Sequence, residues 1–250
     1  MMLDVGGVEF RYRSVPVLDD VSFSVGKAEM LSILGPNGVG KTTLLKCING
    51  ILKARKGTIM VDEESLTGMS RLEVAKRVGY VAQRSDTSMA TVFESVLLGR
   101  KPYIRWDITK DDVRMAGEMI DRLGLAPISM KYIGEISGGE LQKVQIARAL
   151  VQEPKVLLLD EPTSNLDLSN QCRIMSLISE MVGNNGISAI LTMHDLNLAI
   201  RYSDRFILLK GGSIFAAGGV DVITPETIEE VYGIPVYVET FRGQPMVIPA

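Results

Sequence analysis

The feature that most constrains this chain is an eight-residue run, Gly35-Pro36-Asn37-Gly38-Val39-Gly40-Lys41-Thr42. A short apolar stretch, Met30 to Leu34, stands immediately before it, and a helical pattern over residues 42–52 follows. The run matches G-x-x-x-x-G-K-[ST], and its residue types each have a physical job. The glycines let the backbone curl until successive N–H groups point inward at phosphate oxygens, and the helix behind them adds a favourable dipole. Lys41 is then expected to reach the outer phosphates of a nucleotide. The Thr42 hydroxyl is expected to ligate Mg2+, with Thr43 beside it in the first helical turn. The alternative is a glycine-rich turn that only starts a helix, and the flanking strand and helix argue against it.

A second apolar run ends on acid. Val156-Leu157-Leu158-Leu159-Asp160-Glu161 is continuously apolar up to its last two residues, the pattern of a strand buried on both faces. Asp160, at the carboxyl end, is expected to face the phosphate loop from a neighbouring strand and to hold Mg2+ directly or through water. Glu161, one step beyond, can orient and polarise an attacking water, which favours hydrolysis over transfer to a second substrate. Alone, such a run is often a strand entering a solvated turn. Beside the phosphate loop it becomes the other half of a site.

The rest of the chain supplies the frame. Period-2 stretches over residues 3–11 and 15–25 (Val8, Phe10, Tyr12; Val21, Phe23, Val25) predict an antiparallel layer. Short apolar strands are predicted over 30–34, 78–82, 156–160, 188–192 and 206–209, separated by helices, so the core sheet should be mostly parallel with helices on its faces. Residues 84–136 read as mostly helical, with 92–98 and 111–123 clearest. The expected organisation is one α/β domain over 1–250. A nucleotide-binding core spans 1–83 and 137–250, a helical insertion 84–136, and a C-terminal extension 224–250. In that extension Thr224 suits a helix cap, Pro225 the first helical position and Gly233 the stop, and a hairpin about Arg242-Gly243 should close the fold.

Composition excludes several classes. The 250 residues are 46% hydrophobic and 23% charged, with 27 Lys plus Arg against 30 Asp plus Glu for a net charge of −3. That balance gives no broad pull toward nucleic acid or anionic lipid. Cys47 and Cys172 stand far apart with no CxxC pairing, so neither a disulfide scaffold nor a zinc site is indicated. The opening residues MMLDVGGVEF carry no basic, apolar leader, and no apolar run approaches the ~18 residues of a membrane span.

Ser137-Gly138-Gly139-Glu140 precedes a helical run with Leu141, Val144 and Ala147 on one face. Ser with Glu three residues on is a capping box. Two glycines at a helix start also leave N–H groups bare as a second place for phosphate, and capping alone does not account for them. With the phosphate loop and the Asp160-Glu161 strand, this segment makes the chain resemble the nucleotide-binding subunit of an ATP-binding-cassette (ABC) transporter, almost end to end. Ile136-Ser137-Gly138-Gly139-Glu140 resembles the family signature LSGGQ, departing at Ile136 and Glu140. The resemblance implies the P-loop ATPase fold of that family, with ATP and Mg2+ as ligands. It also implies that the signature binds the γ-phosphate of ATP held by a second copy, giving two nucleotides sandwiched in a head-to-tail homodimer.

By the same resemblance Gln83 is the Q-loop glutamine that touches Mg2+ and the attacking water. Ser164-Asn165-Leu166-Asp167 is the D-loop, with Asp167 facing the shared site, and Tyr12 is the aromatic that stacks on adenine. His194, the one histidine of the chain, is the switch residue at the γ-phosphate. Read without the family, Gln83 is a polar strand end, Asp167 a helix cap, Tyr12 a packing aromatic and His194 a surface residue.

Thr91-Val92-Phe93-Glu94-Ser95-Val96-Leu97-Leu98-Gly99-Arg100 with Pro102-Tyr103 resembles importers of iron-siderophore, haem and vitamin B12 complexes, as do His194-Asp195-Leu196-Asn197-Leu198-Ala199 and the Thr224-Pro225-Glu226 and Val231-Tyr232-Gly233 segments. The resemblance implies a peripheral protein on the cytoplasmic face of the cell membrane. Its partners would be integral membrane permease subunits and, indirectly, a substrate-binding protein, with no nucleic acid. Competing readings are the ATPase of another transport system, a small-molecule kinase sharing the phosphate loop, and a non-transport ABC ATPase.

Overall fold

The computed structural model describes residues 1–83 and 89–250. The first five residues of the expected helical insertion, 84–88, lie outside the described residues. In chain order the strands and helices are β1 (Leu3–Tyr12), β2 (Val15–Val25), β3 (Met30–Leu34), α1 (Lys41–Ile48), β4 (Lys56–Val61), β5 (Glu64–Ser65), α2 (Arg71–Ala75), β6 (Val78–Val81), α3 (Val92–Leu97), α4 (Lys110–Arg122), α5 (Gly138–Leu150), β7 (Val156–Asp160), α6 (Leu168–Asn185), β8 (Ser188–Thr192), α7 (Leu196–Tyr202), β9 (Arg205–Lys210), β10 (Ser213–Gly218), α8 (Pro225–Tyr232), β11 (Val236–Phe241) and β12 (Gln244–Pro249).

The central sheet has the order β10-β9-β3-β8-β7-β6, with β10 antiparallel to β9 and the other pairs parallel. Every residue of β3, β7 and β8 is buried, which is why these strands read as unbroken apolar runs. Alternate residues serve opposite faces. Leu31, Ile33, Val156 and Leu158 pack with Leu44 and Ile48 of α1 under an antiparallel sheet, β2-β1-β4-β5. Met30, Leu34, Leu157 and Leu159 pack under Ile174, Ile178 and Val182 of α6 and Ile228 of α8. This is the expected α/β architecture, an antiparallel layer beside a mostly parallel core sheet.

Three local readings are corrected. The helix after the phosphate loop stops at Ile48, not 52, because Asn49 caps it and Gly50 turns left-handed at φ 68°. β4, β5, α2 and β10 carry no strong local pattern and were not foreseen. The strand bearing Asp160 is not the immediate neighbour of the strand feeding the phosphate loop, since β8 lies between them. Parallel strand order is set by crossover packing and not by any one strand's residues.

The helices α3, α4 and α5 share a separate apolar cluster of Val92, Val96, Ala116, Ile120, Val144 and Ala147. Capping boxes start all three: Thr91 with Glu94, Thr109 with Asp112, and Ser137 with Glu140. A buried ion pair rivets them. Arg100 Nε donates to Asp112 Oδ1 at 3.0 Å, and Nη1 donates to the Val151 carbonyl at 2.9 Å. The segment before α4 lies so close to α5 that a Cβ on Gly99 would stand 2.2 Å from the Arg148 carbonyl oxygen. At the other end, Asn197 of α7 holds β12: its Nδ2 donates to the Val247 carbonyl at 3.1 Å, and the Val247 N–H donates to its Oδ1 at 2.8 Å.

Two glycines therefore separate close approach from helix propensity. Gly99→Ala should destabilise the protein by at least about 1–3 kcal/mol through overpacking. Gly117→Ala, inside α4 with open space where a Cβ would go, should stabilise it by about 0.5–1 kcal/mol. Urea unfolding midpoints of the two variants would check both signs.

Candidate functional site

The phosphate loop leaves β3 at Gly35 and enters α1 at Lys41. Only glycine fits either end. Gly35 has φ 141° and a Cβ there would stand 2.6 Å from the Leu209 carbonyl oxygen. Gly40 has φ 111° and a Cβ there would meet the Val17 carbonyl oxygen at 3.0 Å. Lys41 is buried. Its Nζ donates to the carbonyls of Gly35 at 2.6 Å and Pro36 at 3.1 Å, across the base of the loop. Burial lowers its pKa, while the nearby carboxylates of Glu161 and Asp160 act the other way. A cavity of about 300 Å³ opens over the loop, lined by Asn37, Gly38, Gly40, Lys41, Thr42 and Thr43 together with Tyr12, Val17 and Glu161. Tyr12 is half exposed at its rim and packs edge-on to Phe10, ring centroids 4.8 Å apart. Gly35, Pro36 and Val39 hold the loop from outside that lining.

The carboxylates meet the loop through hydroxyls. Thr42 Oγ1 donates to Asp160 Oδ1 at 2.9 Å, Thr192 Oγ1 donates to the same oxygen at 2.8 Å, and Tyr80 Oη lies 3.4 Å from Oδ2. Asp160 is only 2% exposed, and these hydroxyls replace the water it has lost. Glu161 follows in a left-handed conformation, φ 51°, an arrangement that costs a non-glycine residue about 1 kcal/mol or more. Its N–H donates to Thr192 Oγ1 at 2.9 Å, and Ser164 N–H and Oγ both donate to its carbonyl, at 3.1 and 3.0 Å. The sharp turn leaves its side chain 13% exposed and bonded on both oxygens: Gln83 Nε2 donates to Oε2, and His194 Nε2 shares a hydrogen bond with Oε1.

The structure thus gathers Tyr12, the phosphate loop, Gln83, Asp160, Glu161 and His194 at the carboxyl ends of the parallel strands, where a doubly wound sheet takes its ligands. Ser137, Gly138, Gly139, Glu140 and Asp167 form a separate group. Ser137 N–H donates to Glu140 Oε2 at 2.8 Å and Glu140 N–H to Ser137 Oγ at 3.4 Å. Ser137 Oγ also donates to Glu140 Oε2, at 2.7 Å, and this bond together with that from the Ser137 N–H holds the Glu140 carboxyl below its usual pKa. Asn170 Nδ2 donates to Asp167 Oδ2 at 2.9 Å, and a Cβ on Gly139 would stand 3.1 Å from the Asn170 amide, so the signature and the Asp167 turn pack together. Among the described residues no hydrogen bond joins this group to the phosphate loop. A larger recess of about 470 Å³ beneath α4, lined by Met115, Glu118, Met119 and Arg122 among others, contains none of these residues.

Sequence reasoning missed Thr192 and Tyr80. Both look like ordinary strand residues, and only the position of Thr192 at the carboxyl end of an apolar run hinted at a role.

The sequence model of the ABC transporter family matches residues 18–164. The chain belongs to that family. An uncharacterised ABC transporter ATP-binding protein of Methanocaldococcus jannaschii, MJ0089, is 53% identical over 249 residues, covering 100% of this chain and 98% of that one. A cobalamin import ATP-binding protein of Halobacterium salinarum is 34% identical over 96% of this chain, which spans 61% of that longer protein. A phosphonates import ATP-binding protein of Oceanobacillus iheyensis is 35% identical, covering 93% of this chain and 96% of that one. Among solved structures, an inward-facing transporter described as of the metal-chelate type superposes with a TM-score of 0.87 at 27% identity, covering 100% of this chain and 97% of that chain. This ABC subunit is accordingly an ATP-hydrolysing enzyme of α/β fold, as the sequence resemblance implied.

Thr192 offers a direct check on how the acids are held. Thr192→Val keeps the volume and removes the hydroxyl that joins Asp160 to the Glu161 N–H. Two hydrogen bonds are lost, each worth about 1 kcal/mol, so kcat for ATP hydrolysis should fall by up to about thirtyfold. Steady-state phosphate release would measure it.

Proposed function

We propose that this ABC subunit drives import of a metal chelate, by hydrolysing ATP clasped between two copies of itself beneath a membrane permease. One observation carries the catalytic part: the bonded chain from Thr42 through Asp160 and Thr192 to Glu161, with Gln83 and His194 on its far side. That chain supports reading Thr42 and Asp160 as a metal-binding pair and Glu161 as a water-orienting carboxylate beside the phosphate loop.

The donor set suits Mg2+. Thr42 and Asp160 present hard oxygen atoms 2.9 Å apart, with a neutral amide at Gln83, and hard divalent ions prefer such donors plus substrate oxygens. Among the described residues no group of three or more His, Cys, Asp or Glu side chains could hold a metal by itself, which fits an ion completed by the nucleotide. When bound, Mg2+ neutralises charge developing on the phosphate oxygens.

The N–H groups from Gly38 to Thr43 cradle the phosphates, Lys41 turns its ammonium from the Gly35 and Pro36 carbonyls toward the outer ones, and Tyr12 covers the base. Glu161 accepts a hydrogen bond from the attacking water and polarises it. Gln83 and His194 release its oxygens for that task and face the terminal phosphate. The Ser137 to Glu140 segment and Asp167 act on the other copy's nucleotide. Their separation from the phosphate loop within one chain supports this division, as do the Gly138 and Gly139 N–H groups at the start of α5, for which no described residue is an acceptor.

Among the described residues no helix is long and apolar enough to cross a membrane; on this reading the cargo passes through a membrane permease that the subunit drives. The subunit sits on the inner membrane face, and its helical insertion meets the permease. A metal-chelate cargo, whether ferric siderophore, haem or corrinoid, is supported by the full-length superposition on a transporter of that type.

Glu161→Gln should bind ATP with wild-type affinity while turnover drops at least about 100-fold, leaving a dimer visible by size-exclusion chromatography with ATP. Unchanged turnover would remove Glu161 from its role. Lys41→Ala should lose nucleotide binding, read by equilibrium dialysis. For the cargo, vesicles carrying the chain with its permease should take up a labelled ferric siderophore, haem or cobalamin on addition of ATP. Uptake of a labelled phosphonate alone would replace the metal-chelate reading.

A further inference from the structure

Gly35 is held from three sides. Its Cα faces the backbone of β9, with no room for a side chain beside the Leu209 carbonyl. Its own carbonyl accepts from Lys41 Nζ at 2.6 Å. Its N–H donates to Tyr232 Oη at 2.8 Å, across 197 residues of sequence. Tyr232 is the last residue of α8, in the C-terminal extension, and α8 is seated in the core by Ile228 and Val231. Burial pushes the Tyr232 phenol up to about 12, so it stays a neutral hydrogen-bonding group throughout the physiological range.

Adjacent peptides of the loop are therefore pinned at opposite ends. The Leu34–Gly35 peptide is tied to α8 through Tyr232, and the Gly35–Pro36 peptide is tied to α1 through Lys41. Together these contacts fix the plane from which the phosphate loop departs. A glycine places few limits on its own torsions, so at Gly35 these contacts set them. The extension has a second hold on the site. Asn197 of α7, three residues beyond His194, is bonded twice to Val247 of β12. The tail thus grips the first residue of the phosphate loop and the helix that follows His194.

We propose that Tyr232 is a positioning residue for nucleotide binding: its hydroxyl fixes the first peptide of the phosphate loop and couples the C-terminal extension to occupancy of the cradle. Without that acceptor the Gly35 N–H is left buried and unpaired, and the peptide turns to find another partner. The inward N–H groups and the Gly35 carbonyl that holds Lys41 lose their common frame. The nucleotide is then held less well in ground and transition states alike, which raises KM without lowering kcat. Coupling of this kind is reciprocal, so filling the cradle must in turn tighten α8.

The inference rests on the phosphate-cradle reading of Lys41, and the experiment separates the two. Tyr232→Phe removes one oxygen atom and keeps the ring. In the full chain it should raise the Kd and KM for MgATP about three- to tenfold, the worth of one hydrogen bond, with kcat changed less than about twofold. Tyr202→Phe, whose hydroxyl bonds instead to Ser176 and the Cys172 carbonyl, should leave Kd unchanged. In hydrogen exchange on the wild-type chain, amides of residues 226–232 should gain protection when MgATP is added, and Tyr232→Phe should lose that gain. Wild-type affinity in Tyr232→Phe, a loss confined to kcat, or no nucleotide-dependent protection of 226–232 would each overturn the proposal. Nucleotide binding retained in Lys41→Ala would overturn the cradle itself. Binding lost in Lys41→Ala but unaltered in Tyr232→Phe would overturn only the role of Tyr232.

Discussion

A carboxylate buried at the end of a central strand must find hydrogen-bond donors or lose its charge, and Asp160 finds them on three other elements. Thr42 comes from the helix after the phosphate loop, Thr192 from the adjoining strand β8, and Tyr80 from the opposite neighbour β6. One buried acid thereby sets the relative positions of α1, β6, β7 and β8. The cost of burying it is met only when all four are in register, so the same geometry that satisfies Asp160 also assembles the site. A shift of one residue in β7 or β8 would turn these side chains to the other face of the sheet and break the arrangement.

Glu161 depends on that assembly in a second way. Its left-handed backbone would be unfavourable in a free chain, and the Thr192 and Ser164 bonds hold it there. The strained turn carries the side chain back over the sheet edge to Gln83 and His194 instead of letting it follow the strand into solvent. Strain at this residue is compensated by neighbours that belong to the scaffold, which is how a single carboxylate can be both sequestered and aimed. The two side chains that bond it come from the ends of β6 and β8, so Glu161 reports on the positions of both flanking strands.

Much of this was legible in the sequence, for physical reasons that differ from residue to residue. The strands β3, β7 and β8 are buried on both faces, so their apolar runs stand out and end where the chemistry begins. The phosphate loop announces itself because its glycines satisfy backbone demands that few other sequences meet, as the close approaches at Gly35 and Gly40 show. The tail helix was readable from Thr224, Pro225 and Gly233, each suited to one position of a helix end. By contrast, β4 opens with three exposed residues and buries only Ile59 and Val61, and β10 mixes exposed and half-buried residues, so neither shows a sustained period. The placement of β8 between β3 and β7 depends on long crossovers. Thr192 and Tyr80 were invisible as site residues because threonine and tyrosine are common in strands for packing reasons alone. Their meaning appears only once Asp160 lies beside them.

The separation of the site into two groups follows from where each is anchored. The phosphate loop, Asp160 and Glu161 are fixed by the parallel sheet. The Ser137 to Glu140 segment caps α5, whose first turn packs on the Asp167 turn and whose body is riveted to α3 and α4 by their shared apolar cluster and by Arg100. The α3–α4 layer is thus joined to α5 with little slack, because Gly99 lies against the Arg148 carbonyl and Arg100 holds the Val151 carbonyl. On the function proposed above, the residues assigned to hydrolysis stay fixed on the sheet while the helical layer carries the Ser137 to Glu140 segment toward or away from a nucleotide held by the other copy.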